Sequence, residues 1–145
     1  MKKVDISELY DFLRDRVDCH YIICDIVGLI PINNISRAAG DLAIIEAIKR
    51  MNDVAGEEDV VFRIGSDEFV LLTDSKDENY IKKLASTIES QNGKPICYEG
   101  QEIPLSLYIL TRTAIDGKNA NHSEILAQFH NVMQDFKSTL KKRHS

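Results

Sequence analysis

Val60-Val61-Phe62-Arg63-Ile64-Gly65-Ser66-Asp67-Glu68-Phe69-Val70-Leu71-Leu72 places two runs of strand-forming residues on either side of a small acidic turn. Sheets favour the Val, Phe and Leu of the flanks, and Gly65-Ser66 supplies the small residues that a tight reversal needs, so the stretch predicts a β-hairpin. Its tip carries two adjacent carboxylates, Asp67 and Glu68. An acidic pair beside a turn is commonly solvated punctuation, and it is also the raw material of a functional site. The hairpin alone leaves both readings open.

Upstream, His20-Tyr21-Ile22-Ile23-Cys24-Asp25-Ile26-Val27-Gly28 is almost uniformly apolar and rich in β-branched residues, the pattern of a strand covered on both faces. Asp25 breaks it. A carboxylate inside a buried strand must be paired, hydrogen-bonded or metal-bound; otherwise it lies at the strand's exposed end. Ahead of this strand, Ile6, Leu9, Tyr10 and Leu13 fall at helical spacing, with Asp5 or Ser7 as the cap. After it, Asn33-Asn34-Ile35-Ser36-Arg37 reads as turn, and Asp41 precedes an amphipathic helix with Ile44, Ile45, Ile48 and Met51 on its buried face. Gly56-Glu57-Glu58-Asp59 closes that helix and leads into the hairpin.

Downstream, Ser75-Lys76-Asp77-Glu78 opens a helix carrying Tyr80, Ile81, Leu84 and Ile88, which stops at Asn92-Gly93. Pro95 to Tyr98 and Ile103 to Leu110 predict two strands joined through Glu99-Gly100-Gln101. After a polar stretch from Asp116 to Asn121, a last helix begins near His122 and buries Ile125, Leu126, Phe129, Val132, Met133 and Phe136. The order is that of an α+β fold close to a ferredoxin-like arrangement, a central, mostly antiparallel sheet with helices packed on it.

The 145 residues, 43% hydrophobic and 28% charged, suffice for one domain with a sizeable core, and no linker or repeat divides residues 1–145. A net charge of −5 argues against general nucleic-acid binding, although Lys137, Lys141, Lys142 and Arg143 make the end locally basic. Those cations also suit the dipole at a helix C-terminus. No apolar run approaches membrane-spanning length, and Asp5 and Glu8 interrupt the start where a signal peptide needs unbroken apolar sequence. Cys19, Cys24 and Cys97 lack paired spacing and read as reduced, partly buried thiols, so a cytoplasmic location is expected.

Arg63-Ile64-Gly65-Ser66-Asp67-Glu68-Phe69, preceded by Asp59-Val60-Val61, resembles the signature hairpin of the GGDEF family of bacterial diguanylate cyclases. Asp25-Ile26 at the end of an apolar strand, Asn33 eight positions on, Gly40-Asp41 beside a helix start, and Lys137 with Lys141 follow in the family's order, so the resemblance spans residues 5–143. It implies a nucleotidyl-cyclase palm that takes GTP or a related purine nucleotide with Mg2+ or Mn2+ and works in cyclic di-GMP signalling. Asp25, the carbonyl of Ile26 and Asp67 would hold the metal, with Glu68 and Asp67 as catalytic residues. Glu68 would activate the ribose 3′-hydroxyl. Asn33 and Asp41 would read the guanine edge, Lys137 and Lys141 would meet phosphate oxygens, and the Gly65-Ser66 backbone would approach the nucleotide.

The departures bear on activity. Ser66 replaces a glycine where positive φ is expected, and Val27 with Leu29-Ile30 replaces Asp and Phe-Lys, which removes a phosphate-facing cation. The loop from Asn33 to Asp41 is one residue short, the Asp-x-Leu-Thr-Gly-Leu motif does not precede Ile6, and Gly56 stands in place of the arginine of the Arg-x-x-Asp product-inhibition site. Two functions are therefore expected. One is a GTP- and metal-binding or protein-interaction module with weak or no cyclase activity. The alternative is an active cyclase making cyclic di-GMP as a homodimer, each copy presenting one GTP.

Overall fold

The computed structural model describes residues 8–14, 16, 18–113 and 122–143. Its elements are α1 (Leu9–Arg14), β1 (His20–Ile26), α2 (Leu29–Ile35), α3 (Arg37–Val54), β2 (Val60–Arg63), β3 (Glu68–Leu72), α4 (Glu78–Glu89), β4 (Pro95–Tyr98), β5 (Gln101–Pro104), β6 (Leu107–Thr113) and α5 (His122–Arg143). The expected caps Asp5 and Ser7 and the polar stretch Asp116 to Asn121 lie outside the described residues.

Four strands form an antiparallel sheet in the order β2-β3-β1-β6, which is the ferredoxin-like order, and β4 and β5 form a separate hairpin. Because successive side chains along a strand point to opposite faces, the apolar runs divide between two cores. Ile22, Cys24 and Ile26 of β1 and Phe69 and Leu71 of β3 pack under α2, α3 and α4, together with Ile96 and Ile103. Tyr21 and Ile23 of β1 and Val70 and Leu72 of β3 pack under α1 and α5, against Leu9, Leu13, Phe129 and Met133. Asp25 and Glu68 share parity with this second set, so both carboxylates belong to the face that α5 covers.

Burial of Phe129 and Met133, one turn apart on α5, contributes roughly 1.5–3 kcal/mol each. Apolar packing therefore sets where α5 lies, and its polar residues fall on the sheet's acidic end as a consequence.

Three expected elements differ. Residues Asn33 to Ile35, read as turn, complete α2, in which Pro31 occupies an early position where its missing N–H breaks no helical bond. Ser36 then caps α3, its Oγ accepting from the Ala38 N–H at 3.1 Å. The buried face of α3 is made by Ala39, Gly40, Ala43, Ala47, Arg50 and Met51, whereas Ile44 and Ile48 flank it and Ile45 is 62% exposed. Small side chains let this helix approach the sheet closely, and the isoleucines are displaced to its shoulders.

The single strand expected from Ile103 to Leu110 is two strands in two sheets. Pro104, which has no N–H to donate, ends β5, and Leu105-Ser106 carries the chain to β6. Arg50, 3% exposed, fastens this crossing by donating to the carbonyls of Leu105 and Lys94, each at 2.8 Å. The β4–β5 turn holds Glu99 and Gly100 at φ 48° and 78°, the positive pair that a two-residue type I′ hairpin requires.

Candidate metal and nucleotide site

The register of the sheet builds the site. Asp25 lies directly opposite Glu68 across β1 and β3, and the Ile26 N–H donates to the Asp67 carbonyl at 3.1 Å, which ties the end of β1 to the hairpin tip. One carboxylate oxygen from each of Asp25, Asp67 and Glu68 falls within 4.8 Å of the others. Asp25 is 1% exposed, so it does not lie at an exposed strand end.

Helix α5 brings the counter-charges. The Lys137 ammonium pairs with Asp25 Oδ2, and His130 Nδ1 lies 2.8 Å from Glu68 Oε1. An ionised carboxylate only accepts, so the imidazole N–H donates in this pair. Asp25 Oδ1, buried, has no hydrogen-bond partner. Burial pushes the Asp25 carboxyl up from 3.8 to about 7; the neighbouring Asp67 carboxyl adds to the rise and the Lys137 ammonium opposes it. Crowded oxygen donors, one of them orphaned and short of positive charge, suit a hard divalent cation. The residues present therefore fit Mg2+ or Mn2+.

Beside this cluster opens a cleft of about 690 Å³, lined among others by Ile26, Gly28, Ile30, Asp67, Tyr108, Lys137 and Lys141. Gly28, at φ 71°, makes the left-handed turn from β1 into α2 that forms one wall. Among the described residues, Lys137 and Lys141 are the cations lining it, and Lys137 already faces Asp25. Ile30, 75% exposed, presents a hydrocarbon surface on the rim.

Asn33 and Asp41 are exposed on α2 and α3 and do not line the cleft. They are linked through Gly40, because a Cβ there would collide with Asn33 Oδ1. The glycine thus makes the berth for the Asn33 amide, one residue ahead of Asp41.

Gly65 and Ser66 are exposed at the hairpin tip, also outside the cleft's lining. Neither has positive φ, contrary to the expectation for Ser66, so the serine sits there without backbone strain. The tip is held from its own strand, where the Arg63 guanidinium donates to the Gly65 and Ser66 carbonyls at 3.0 and 2.9 Å. On the far side of the hairpin, Asp59 accepts from the Tyr80 hydroxyl and, at 2.7 Å, from the Gly56 N–H. Its carboxylate is thereby committed to closing the α3–β2 loop.

His130 and Tyr108 are site neighbours that the sequence reading did not single out. His130 stands seven residues before Lys137, two turns of α5, a same-face spacing visible in the sequence although the contact with Glu68 is not. Tyr108, on β6, lies under Lys137 with the ammonium 5.2 Å from its ring centroid.

A family model described as diguanylate cyclase, GGDEF domain, matches residues 10–143. The chain is 27% identical over 134 residues to the oxygen sensor protein DosP of Escherichia coli strain K12, covering 88% of this chain and 16% of that protein. Among solved structures, the GGDEF domain of PA1120 (YfiN or TpbB) from Pseudomonas aeruginosa superposes with a TM-score of 0.69 at 25% identity, over 96% of this chain and 87% of that one. An EAL/GGDEF domain protein from M. capsulatus gives 0.69 at 23% identity, over 90% and 88% of the two chains. Diguanylate cyclase SiaD, solved in complex with its activator SiaC from Pseudomonas aeruginosa, gives 0.75 at 15% identity, over 92% of this chain and 54% of that one.

Proposed function

We propose a function from a settled premise, that this chain belongs to the GGDEF, diguanylate cyclase, domain family: it is a module that binds GTP together with Mg2+ or Mn2+ and turns it over weakly or not at all. The observation that carries this reading is the cluster of Asp25, Asp67 and Glu68 beside the cleft, with Asp25 Oδ1 buried and unpartnered. Asp25 and Glu68 face each other on the two central strands, and Asp67 joins them from the adjoining hairpin turn.

Asp25, Asp67, Glu68 and the Ile26 carbonyl would hold the cation, which when bound neutralises phosphate charge and polarises phosphoryl oxygens. Lys141 offers the triphosphate a charge-assisted hydrogen bond, and Lys137 does so once it leaves Asp25. From the α2–α3 corner the Asn33 amide would donate to and accept from the guanine edge, and the Asp41 carboxylate would accept from its N–H groups. In turnover Glu68 would take the proton of the ribose 3′-hydroxyl. Weak turnover follows from the cation deficit. Ile30 gives the phosphates nothing, and Lys137 starts on a carboxylate rather than on the ligand. Joining two nucleotides in line depends on positioning both phosphate chains, so loose phosphates weaken the reaction more than the binding.

The alternative, an active homodimeric cyclase, draws support from the unstrained backbone at Ser66, which leaves the hairpin tip intact. Incubation with GTP and Mn2+ or Mg2+, followed by chromatography for cyclic di-GMP and by melting curves, separates the two. GTP-dependent stabilisation that Asp25→Asn abolishes, with little or no product, is the result expected. Abundant product lost in Glu68→Gln would establish the cyclase, and no thermal response to nucleotide and metal would leave the proposal without support.

A further inference from the structure

The carboxylate cluster has a nitrogen neighbour. His130 Nδ1 stands 2.8 Å from Glu68 Oε1, its side chain 57% exposed while that of Glu68 is 9% exposed. Phe129 and Met133, both buried, anchor α5 on either side of it, so His130 is delivered to this edge of the cluster by packing. Two donors in neighbouring positions around a six-coordinate ion, with bonds near 2.0–2.1 Å, lie roughly 3 Å apart. The spacing of His130 Nδ1 and Glu68 Oε1 satisfies that condition. His130 is not among the groups whose ligand atoms all lie within 4.8 Å of one another, so it would reach the ion by turning its exposed ring toward the three carboxylates.

We propose that His130 is a fourth ligand of the site, so that a cation here meets one nitrogen and three carboxylates. This rests on the reading of Asp25, Asp67 and Glu68 as a metal site. In the metal-free protein the ring donates Nδ1–H to Glu68. With an ion bound, the neutral ring carries its one proton at Nε2 and offers the Nδ1 lone pair. Hard cations with oxygen shells gain little from such a donor. Imidazole suits borderline transition ions, so His130 raises affinity for Co2+ or Zn2+ far more than for Mg2+.

The test is calorimetric titration of the full chain with Co2+ and with Mg2+, each alone, in the wild type, His130→Ala and Asp25→Asn, alongside the visible absorption of bound Co2+. The expected result is that His130→Ala weakens Co2+ by at least about tenfold, changes Mg2+ by less than about threefold, and alters the Co2+ spectrum. The metal-free melting temperature of each variant, read beside the titrations, serves as the folding control. Equal loss for both ions would make His130 only a residue that orients Glu68 and would overturn the assignment. So would an unchanged Co2+ spectrum. If the wild type binds neither ion, the reading of the carboxylate cluster itself fails, a result distinct from failure at His130.

Discussion

Asp25→Asn should stabilise the metal-free protein, and the gain should grow with pH. The carboxyl is 1% exposed and its titration is pushed by burial from 3.8 up to about 7. A raised folded value means that the native state holds its proton where the unfolded chain has released it. The contribution of Asp25 is complete below about pH 3.8 and is lost as pH rises to about 7. At about 1.36 kcal/mol per pH unit the whole interval is worth up to about 4 kcal/mol. The part between pH 5 and pH 7 is worth about 3 kcal/mol. Asparagine fills the same space without titrating, and Lys137, partly exposed, can turn its ammonium to water once its partner is neutral.

For a domain of this size about 3 kcal/mol corresponds to roughly 6–12 °C in melting temperature. Melting curves in EDTA from pH 5 to pH 8.5 should therefore show wild type and variant separating by roughly that amount, with the variant higher at the alkaline end. Mn2+ should lift the wild type alone. Parallel pH profiles would refute the reasoning, because they would mean that Lys137 fully compensates the buried charge. A variant less stable at pH 8.5 would refute it more strongly.

Removing the guanidinium in Arg50→Met should lower stability by about 2–4 kcal/mol by chemical denaturation, since the carbonyls of Leu105 and Lys94 lose their partner beneath α3. Tyr80→Phe leaves Asp59 with the Gly56 N–H and should cost about 1–2 kcal/mol in the same assay, with no effect on metal affinity. Gly40→Ala should change the melting temperature little, because the Asn33 amide it displaces is exposed, but should reduce GTP affinity as much as Asn33→Ala does; retained affinity would remove Asn33 from the guanine site.

The elements that carry the site were legible because their sequence is one-sided chemistry. An acid within the apolar run of β1 had few physical explanations, and the ion pair with Lys137 is one of them. The hairpin was equally plain. The α2 helix was not, since Pro31 and Asn33-Asn34 are turn formers by propensity and only the docking of Leu29 and Ile32 under the sheet makes them helical. On α3 a hydrophobicity pattern pointed to the isoleucines, whereas the determining factor was how closely alanines allow the backbone to approach. The break at Pro104 was hidden because apolar residues continue on both sides of it. The contact between His130 and Glu68 depends on where α5 crosses the sheet, a tertiary fact that no local pattern contains. Ser66 carried a strain argument that the backbone does not bear out, so any effect of that residue on ligand must come from its side chain.

Calorimetric titration of GTP into the full chain in the presence of Mn2+, for the wild type and for Asp25→Asn, addresses the central claim most directly. Metal-dependent binding by the wild type, weakened at least about tenfold in the variant, is the outcome predicted. Equal GTP affinity in the two proteins, or binding undiminished in EDTA, would contradict it.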